Sequence, residues 1–177
     1  MHVVQAERGT ALSNSAPNNQ SVKLLVKVAL IAIVFDSGTK SLALRTLSLD
    51  PKRIIGTLLQ FQLTSNSGAA FNLFRGATIF LSLLSFLAIA GIYTFSRSIT
   101  SRAWGFALGL LLGGISGNLI DRLFRSPYLL SGQVVDWIRV PHWPIFNLAD
   151  TSIVISAITI AILLFNEVKP RSHYDVP

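Results

Sequence analysis

The sequence predicts a membrane all-α bundle of four transmembrane helices with a small extracytoplasmic β-sheet. Three observations carry that expectation. Only 13% of the 177 residues are charged while 51% are hydrophobic, against about 25% charged in an ordinary soluble domain. Four apolar stretches of roughly spanning length divide the chain. The long connections between them hold β-prone segments rather than plain linkers.

The stretches justify themselves in order. Charge-free runs extend over Gly76–Ser96, Ala103–Ile120 and Thr151–Asn166, and a spanning helix needs about 20 mostly apolar residues. The second and third spans qualify directly. The fourth is slightly short unless it starts near Phe146 and takes in Asp150. The first, about Leu24–Leu44, is the weakest, because it contains Lys27, Asp36 and Lys40. A soluble core helix is the plain reading of that segment alone; three neighbours of spanning length argue against it. Residues 1–21 are polar and without periodicity, a disordered tail with no apolar core of a signal peptide. The membrane unit covers 22–168, and 169–177 form a polar C-terminal tail.

Four spans put both termini on one side, so the long connections, about 45–75 and 124–145, share the other. Arg97–Arg102 has two arginines in six residues and reads as cytoplasmic under the positive-inside rule. The long connections also carry basic residues, so the charge bias is shallow, with both termini cytoplasmic the favoured orientation. Trp104, Trp137 and Trp143 fall beside span ends, where indole rings prefer the membrane interface. Leu59, Phe61 and Leu63 alternate with Gln60, Gln62 and Thr64, and Val134-Val135-Asp136-Trp137-Ile138 is β-prone. Together they predict a small sheet on the non-cytoplasmic membrane surface.

Composition also excludes chemistry. The net charge of +7 is spread from Arg8 to Arg171 at span flanks rather than gathered in one stripe, which argues for lipid contact and against nucleic acid. Zero cysteines remove thiol catalysis, cysteine-based metal sites and disulfides. Gly114-Ile115-Ser116-Gly117 matches a G-x-S-G nucleophile motif. His2, His142 and His173 all lie outside the spans, so no histidine base is in place for that serine. Small residues at 113–117 read better as close helix packing. No metal-ligand set, nucleotide-binding glycine pattern or cofactor motif is present.

The acids are the informative residues. Four of the eight (Asp36, Asp121, Asp136 and Asp150) lie within or against apolar segments, where charge is costly and marks function or tight pairing. Asp36 and Lys40 are four residues apart on one helix face, an arrangement for an ion pair. Asn118, Asp121 and Arg122 share the end of the third span, where neighbours in sequence point apart and bond different partners. Asp136 and Asp150 have no basic partner at helical spacing. The fourteen-residue separation between them, broken by Pro141 and Pro144, makes a hairpin-sized return able to bring both carboxylates together. Two carboxylates held close in a poorly solvated place share one proton, as an aspartic protease requires. Spacing alone also leaves open a non-enzymatic membrane protein, a transporter subunit or assembly factor using these charges as ion pairs.

Five motifs occur in order: Asp36-Ser-Gly-Thr-Lys40, Asn66-Ser-Gly68-Ala-Ala-Phe71, Gly117-Asn118-Leu-Ile-Asp121-Arg122, Val135-Asp136-Trp137 and Phe146-Asn147-Leu-Ala-Asp150. Together, over about residues 22–168, the chain resembles lipoprotein signal peptidase, the bacterial signal peptidase II family. The resemblance implies a four-helix inner-membrane aspartyl endopeptidase, without cofactor or metal, with its active site near the outer face. Such enzymes cut diacylglyceryl-modified prolipoproteins just before the lipidated cysteine and are blocked by globomycin. It implies Asp136 and Asp150 as catalytic dyad. Asn66, Gly68, Asn118, Asp121, Arg122 and Asn147 become substrate-binding or site-shaping residues, and Asp36 and Lys40 structural support. A monomer is expected. Trp137 stands where the family usually has Phe, which bears on pocket shape and inhibitor fit rather than on the dyad.

Overall fold

The computed structural model describes residues 19–67, 77–126 and 129–171. In chain order the elements are α1 (Asn19–Thr46), β1 (Lys52–Ile55), β2 (Leu59–Asn66), α2 (Ala77–Ser96), α3 (Arg102–Phe124), β3 (Val134–Arg139) and α4 (Leu148–Phe165). Helix α1 starts at Asn19, so the last three residues of the stretch read as tail belong to it. Ser21 explains the early start: it is fully buried and its hydroxyl donates to the Thr100 carbonyl at 2.7 Å.

Helices α2, α3 and α4 are long and apolar enough to cross a membrane. Large apolar side chains on α2 and α4 face outward, among them Phe80, Leu87, Ile158 and Leu164. Helix α1 has 28 residues but carries Lys23, Lys27, Asp36, Lys40 and Arg45, which take it out of that group. Two of those charges are hidden inside the bundle, Asp36 at 1% and Lys40 at 0% exposure.

Helix α3 packs against each of the other helices, and its glycines allow the approach. A Cβ on Gly109 would lie 2.7 Å from the Leu25 carbonyl oxygen, and one on Gly113 2.6 Å from Ala32 Cβ. The glycine face at 113–117 is thus closed by neighbouring helices, as expected for small-residue packing. Leu25, Ile92, Ile99, Trp104, Ala107, Leu108 and Leu163 form one buried apolar cluster. It gathers the start of α1, the α2–α3 turn and the end of α4. Trp104 ties that end shut, its indole donating to the Val168 carbonyl at 2.7 Å. The opposite end of the bundle holds the buried charges.

The three strands form one antiparallel sheet in the order β1-β2-β3. β2 and β3 are the two segments expected, the first from its alternation and the second from its β-prone residues. β1 was not foreseen, because Lys-Arg-Ile-Ile shows no alternation and all four residues are exposed. Thr64 pairs with Asp136 and Asn66 with Val134 across β2 and β3.

Candidate active site

The polypeptide after β3 doubles back as its prolines predict. Trp137 and Ile138 donate backbone hydrogen bonds to the Phe146 carbonyl at 3.0 and 2.8 Å, and Phe146 donates to Ile138 at 3.0 Å. This return brings Asn147 beside Asp136. The fourth span starts at Leu148, two residues after Phe146 and taking in Asp150, because Asn147 caps the helix. Its side chain accepts from the Asp150 N–H at 2.9 Å while Asp150 Oδ2 accepts from the Asn147 N–H at 3.1 Å, a reciprocal capping box.

Asn147 is fully buried and touches both carboxylates. Besides closing the box with Asp150, its Nδ2 donates to Asp136 Oδ1 at 2.6 Å and to Asn118 Oδ1 at 3.1 Å. Asn66 Nδ2 donates to the other Asp136 oxygen at 3.1 Å. Asn118 Nδ2 donates to Asp150 Oδ1 at 2.7 Å. Three amides therefore fix the two carboxyl groups from three elements.

Beneath them lies an ionic cluster. Lys40 Nζ meets Asp36 Oδ2 at 2.7 Å, Asp121 Oδ2 at 3.0 Å and Asn118 Oδ1 at 3.0 Å. Those three acceptors match the three protons of an ammonium. Asp36 Oδ1 also accepts the Ala149 N–H at 2.9 Å, satisfying an orphan donor of the first turn of α4. The space for Asp36 comes from Gly117, where a Cβ would lie 2.6 Å from Asp36 Oδ2. Asp121 accepts from Arg125 Nε at 2.5 Å and from the Val135 N–H at 3.2 Å, which anchors β3 to α3 one residue before Asp136. Arg125 was not singled out from sequence, although its place four residues after Asp121 was a legible signal.

Arg122 takes no part in that cluster and lines a cavity of about 330 Å³ between α2, α3 and α4, together with Asn118 and Asp150. Leu81, Leu84, Ala88, Ile115 and Ile153 make the rest of its wall largely apolar. The guanidinium lies within electrostatic reach of Asp150, Asp121 and Asp136, and its buried Nε has no hydrogen-bond partner among the described residues. Of the residues singled out from sequence, nine converge on this end of the bundle. Gly68 lies outside the described residues.

Burial, and next the charge of Asp150, push Asp136 up to about 7. The Asn66 and Asn147 amides oppose that rise without cancelling it. Asp150 sits in the first turn of α4, where the helix dipole favours a negative charge. Lys40, Arg122 and Arg125 face Asp36, Asp121, Asp136 and Asp150. A proton on Asp136 leaves three positive charges opposite three negative ones. Near neutral pH the Asp136 carboxyl can therefore hold a proton.

Comparison with known proteins gives the family. The family model described as signal peptidase (SPase) II matches residues 28–166. The chain is 39% identical over 156 residues to the lipoprotein signal peptidase of Mycobacterium tuberculosis strain H37Rv, covering 88% of this chain and 77% of that relative. It is 39% identical over 161 residues to the lipoprotein signal peptidase of Streptomyces griseus, covering 90% of this chain and 82% of the other. A bacterial membrane enzyme solved by the in meso method at 2.3 Å superposes with a TM-score of 0.73 at 26% identity, covering 88% of this chain and 96% of that one. A second, solved by the same method at 1.9 Å, gives 0.72 at 28% identity, covering 83% and 96%. With a match over most of its length, the chain belongs to the signal peptidase II family.

Proposed function

We propose that this protein is an aspartyl endopeptidase of the bacterial inner membrane, with Asp136 and Asp150 as a dyad that activates water. The observation that carries the reading is the double role of Asn147, which binds Asp136 through Nδ2 and Asp150 through its cap. In this mechanism Asp150 is the ionised base that takes a proton from water. Protonated Asp136 donates toward the scissile carbonyl oxygen as the tetrahedral intermediate forms. The proton taken from water then reaches the leaving amine, and the dyad returns to its single-proton state.

The substrate in this reading is a prolipoprotein whose cysteine carries diacylglycerol, cut just before that cysteine. The apolar cavity lined by Leu81, Leu84 and Ile153 opens beside Asp150 and suits a lipid-bearing segment held in place. Such holding converts a search into a positioned reaction. Arg122, with its free buried donor, is the group to meet a substrate carbonyl, and globomycin would occupy the same space.

Four spans are part of the proposal. Helix α1 presents Val26, Leu30, Ile31, Val34 and Phe35 outward at 47–66% exposure, while Asp36 and Lys40 neutralise one another inside. The membrane unit then runs to about residue 168, with its first boundary moved to Asn19. Both termini lie on the cytoplasmic side, the dyad lies near the outer face, and the protein acts as a monomer.

A non-enzymatic role for the buried charges draws no support from the cluster, whose Lys40, Asp36 and Asp121 are bonded to one another and to Asn118. The test is processing in cells whose only copy is Asp136→Asn or Asp150→Asn. Unprocessed prolipoprotein should accumulate while the variant protein stays in the membrane fraction; full processing by either variant would remove the dyad assignment.

A further inference from the structure

A second cavity, of about 260 Å³, lies between the C-terminal half of α1 and the sheet. It shares no residue with the cavity beside Asp150. Leu42 and Ala43 form its helical wall, Ile54, Phe61 and Trp137 its sheet wall, and Lys52 also lines it. Phe61 and Trp137 meet edge to face with ring centroids 5.0 Å apart, so the sheet wall is a fixed aromatic surface.

Two features point to one occupant. First, the groove is bordered by apolar side chains that no described residue covers. Leu42 is 60% exposed and Ile54 44%, and the neighbouring loop and strand add Leu49, Ile55 and Leu58 at 58–74%. A bare apolar edge strand in water invites aggregation, whereas apolar side chains interleaved with cations suit an interface helix or hairpin lying in lipid. Second, the charges here are one-sided, with Arg45, Lys52 and Arg53 against Asp50.

We propose that this groove seats an anionic phospholipid of the surrounding bilayer. Its acyl chain lies against Leu42, Ile54 and Phe61, and its phosphate meets Lys52. The lipid is a fixed component at the back of the sheet that carries Asp136, distinct from the substrate's own acyl chains. The proposal rests on the reading of α1 as a membrane helix and not on the dyad.

Trp137 supplies the probe. In the full chain carrying Trp104→Phe and Trp143→Phe, reconstituted in nanodiscs, Trp137 emission is titrated with phosphatidylglycerol or phosphatidylcholine brominated on the acyl chains. Half-quenching should need roughly fivefold less phosphatidylglycerol, the preference one cation gives near an anionic headgroup, and Lys52→Glu should erase the difference. Equal quenching by both lipids, unchanged by Lys52→Glu, overturns the site. Unquenched, blue-shifted emission means that another stretch of protein fills the groove, and overturns it too. Should Trp104→Phe unfold the bundle by losing its bond to Val168, fluorine NMR of 5-fluorotryptophan-labelled wild-type protein replaces the emission. The Trp137 resonance, assigned with Trp137→Phe, should then shift with phosphatidylglycerol and not with phosphatidylcholine; no lipid-dependent shift contradicts the proposal. Cleavage is not read in either experiment, so the dyad stands or falls separately.

Discussion

Asp136 is held where its charge is unwelcome, and that has two measurable consequences. Its carboxyl is raised from 3.8 to about 7, so between those values the folded protein binds a proton that the unfolded chain has released. Stability therefore falls as pH rises from about 4 to about 7. Asp136→Asn removes that cost, and the variant should melt higher than wild type at pH 7 while losing at least about a hundredfold in cleavage rate. A lower melting point at pH 7 would mean that the carboxylate is welcome there. For wild type, the rate should decline as pH passes upward through about 7, because the acid member loses its proton; a rate still rising at pH 8 would assign the proton elsewhere. Lys40 is the opposite case, fully buried but satisfied by three acceptors. Lys40→Met would leave Asp36 and Asp121 facing each other, and removing one partner of a buried pair costs about 3–5 kcal/mol. The expected readout is loss of folded protein in detergent melts. That Asp36 pairs with Lys40 was legible from four-residue spacing. That Lys40 also reaches Asp121 and Asn118, 78 or more residues away, was not, because spacing carries no information across helices.

At the level of elements, α3 is the post on which the site hangs. Gly105, Gly109 and Gly113 form a stripe at four-residue intervals, each with α1 against it. Gly109→Leu would drive a side chain into the Leu25 carbonyl and Val28. An overpacked interface of this kind costs about 1–3 kcal/mol, and here it would also pull Asp36 away from the Ala149 N–H. Thermal unfolding in detergent should show the loss, with activity falling at least in proportion. An unchanged melting point would contradict the close α1–α3 approach. The helices were readable because charge-free runs of 16–21 residues have few other uses. β2 and Val134-Val135-Asp136 were readable from period and β-branching. β1 escaped because an exposed edge strand has no buried face to impose alternation.

In the whole molecule, polarity is separated lengthwise. One end is an apolar plug around Trp104, and the other gathers the Lys40 and Arg125 ion pairs, the separate Arg122 and four acids under a sheet. That separation explains the composition: a chain with eight acids places half of them at one site and lets the rest of its surface be apolar. The motifs pointed to Asp136 and Asp150, but the sequence could not reveal that one asparagine, Asn147, joins the two carboxyl groups. That contact depends on a return through Pro141 and Pro144 and on a helix cap, which only coordinates combine. Two carboxylates joined in this way should hydrolyse a peptide bond at the membrane. The most direct measurement is mass spectrometry of a diacylglyceryl-modified prolipoprotein incubated with the purified wild-type chain, Asp136→Asn and Asp150→Asn. Wild type should release a signal peptide ending immediately before the lipidated cysteine, with both variants leaving the substrate intact. Release of the same peptide by either variant at the wild-type rate would contradict the dyad assignment.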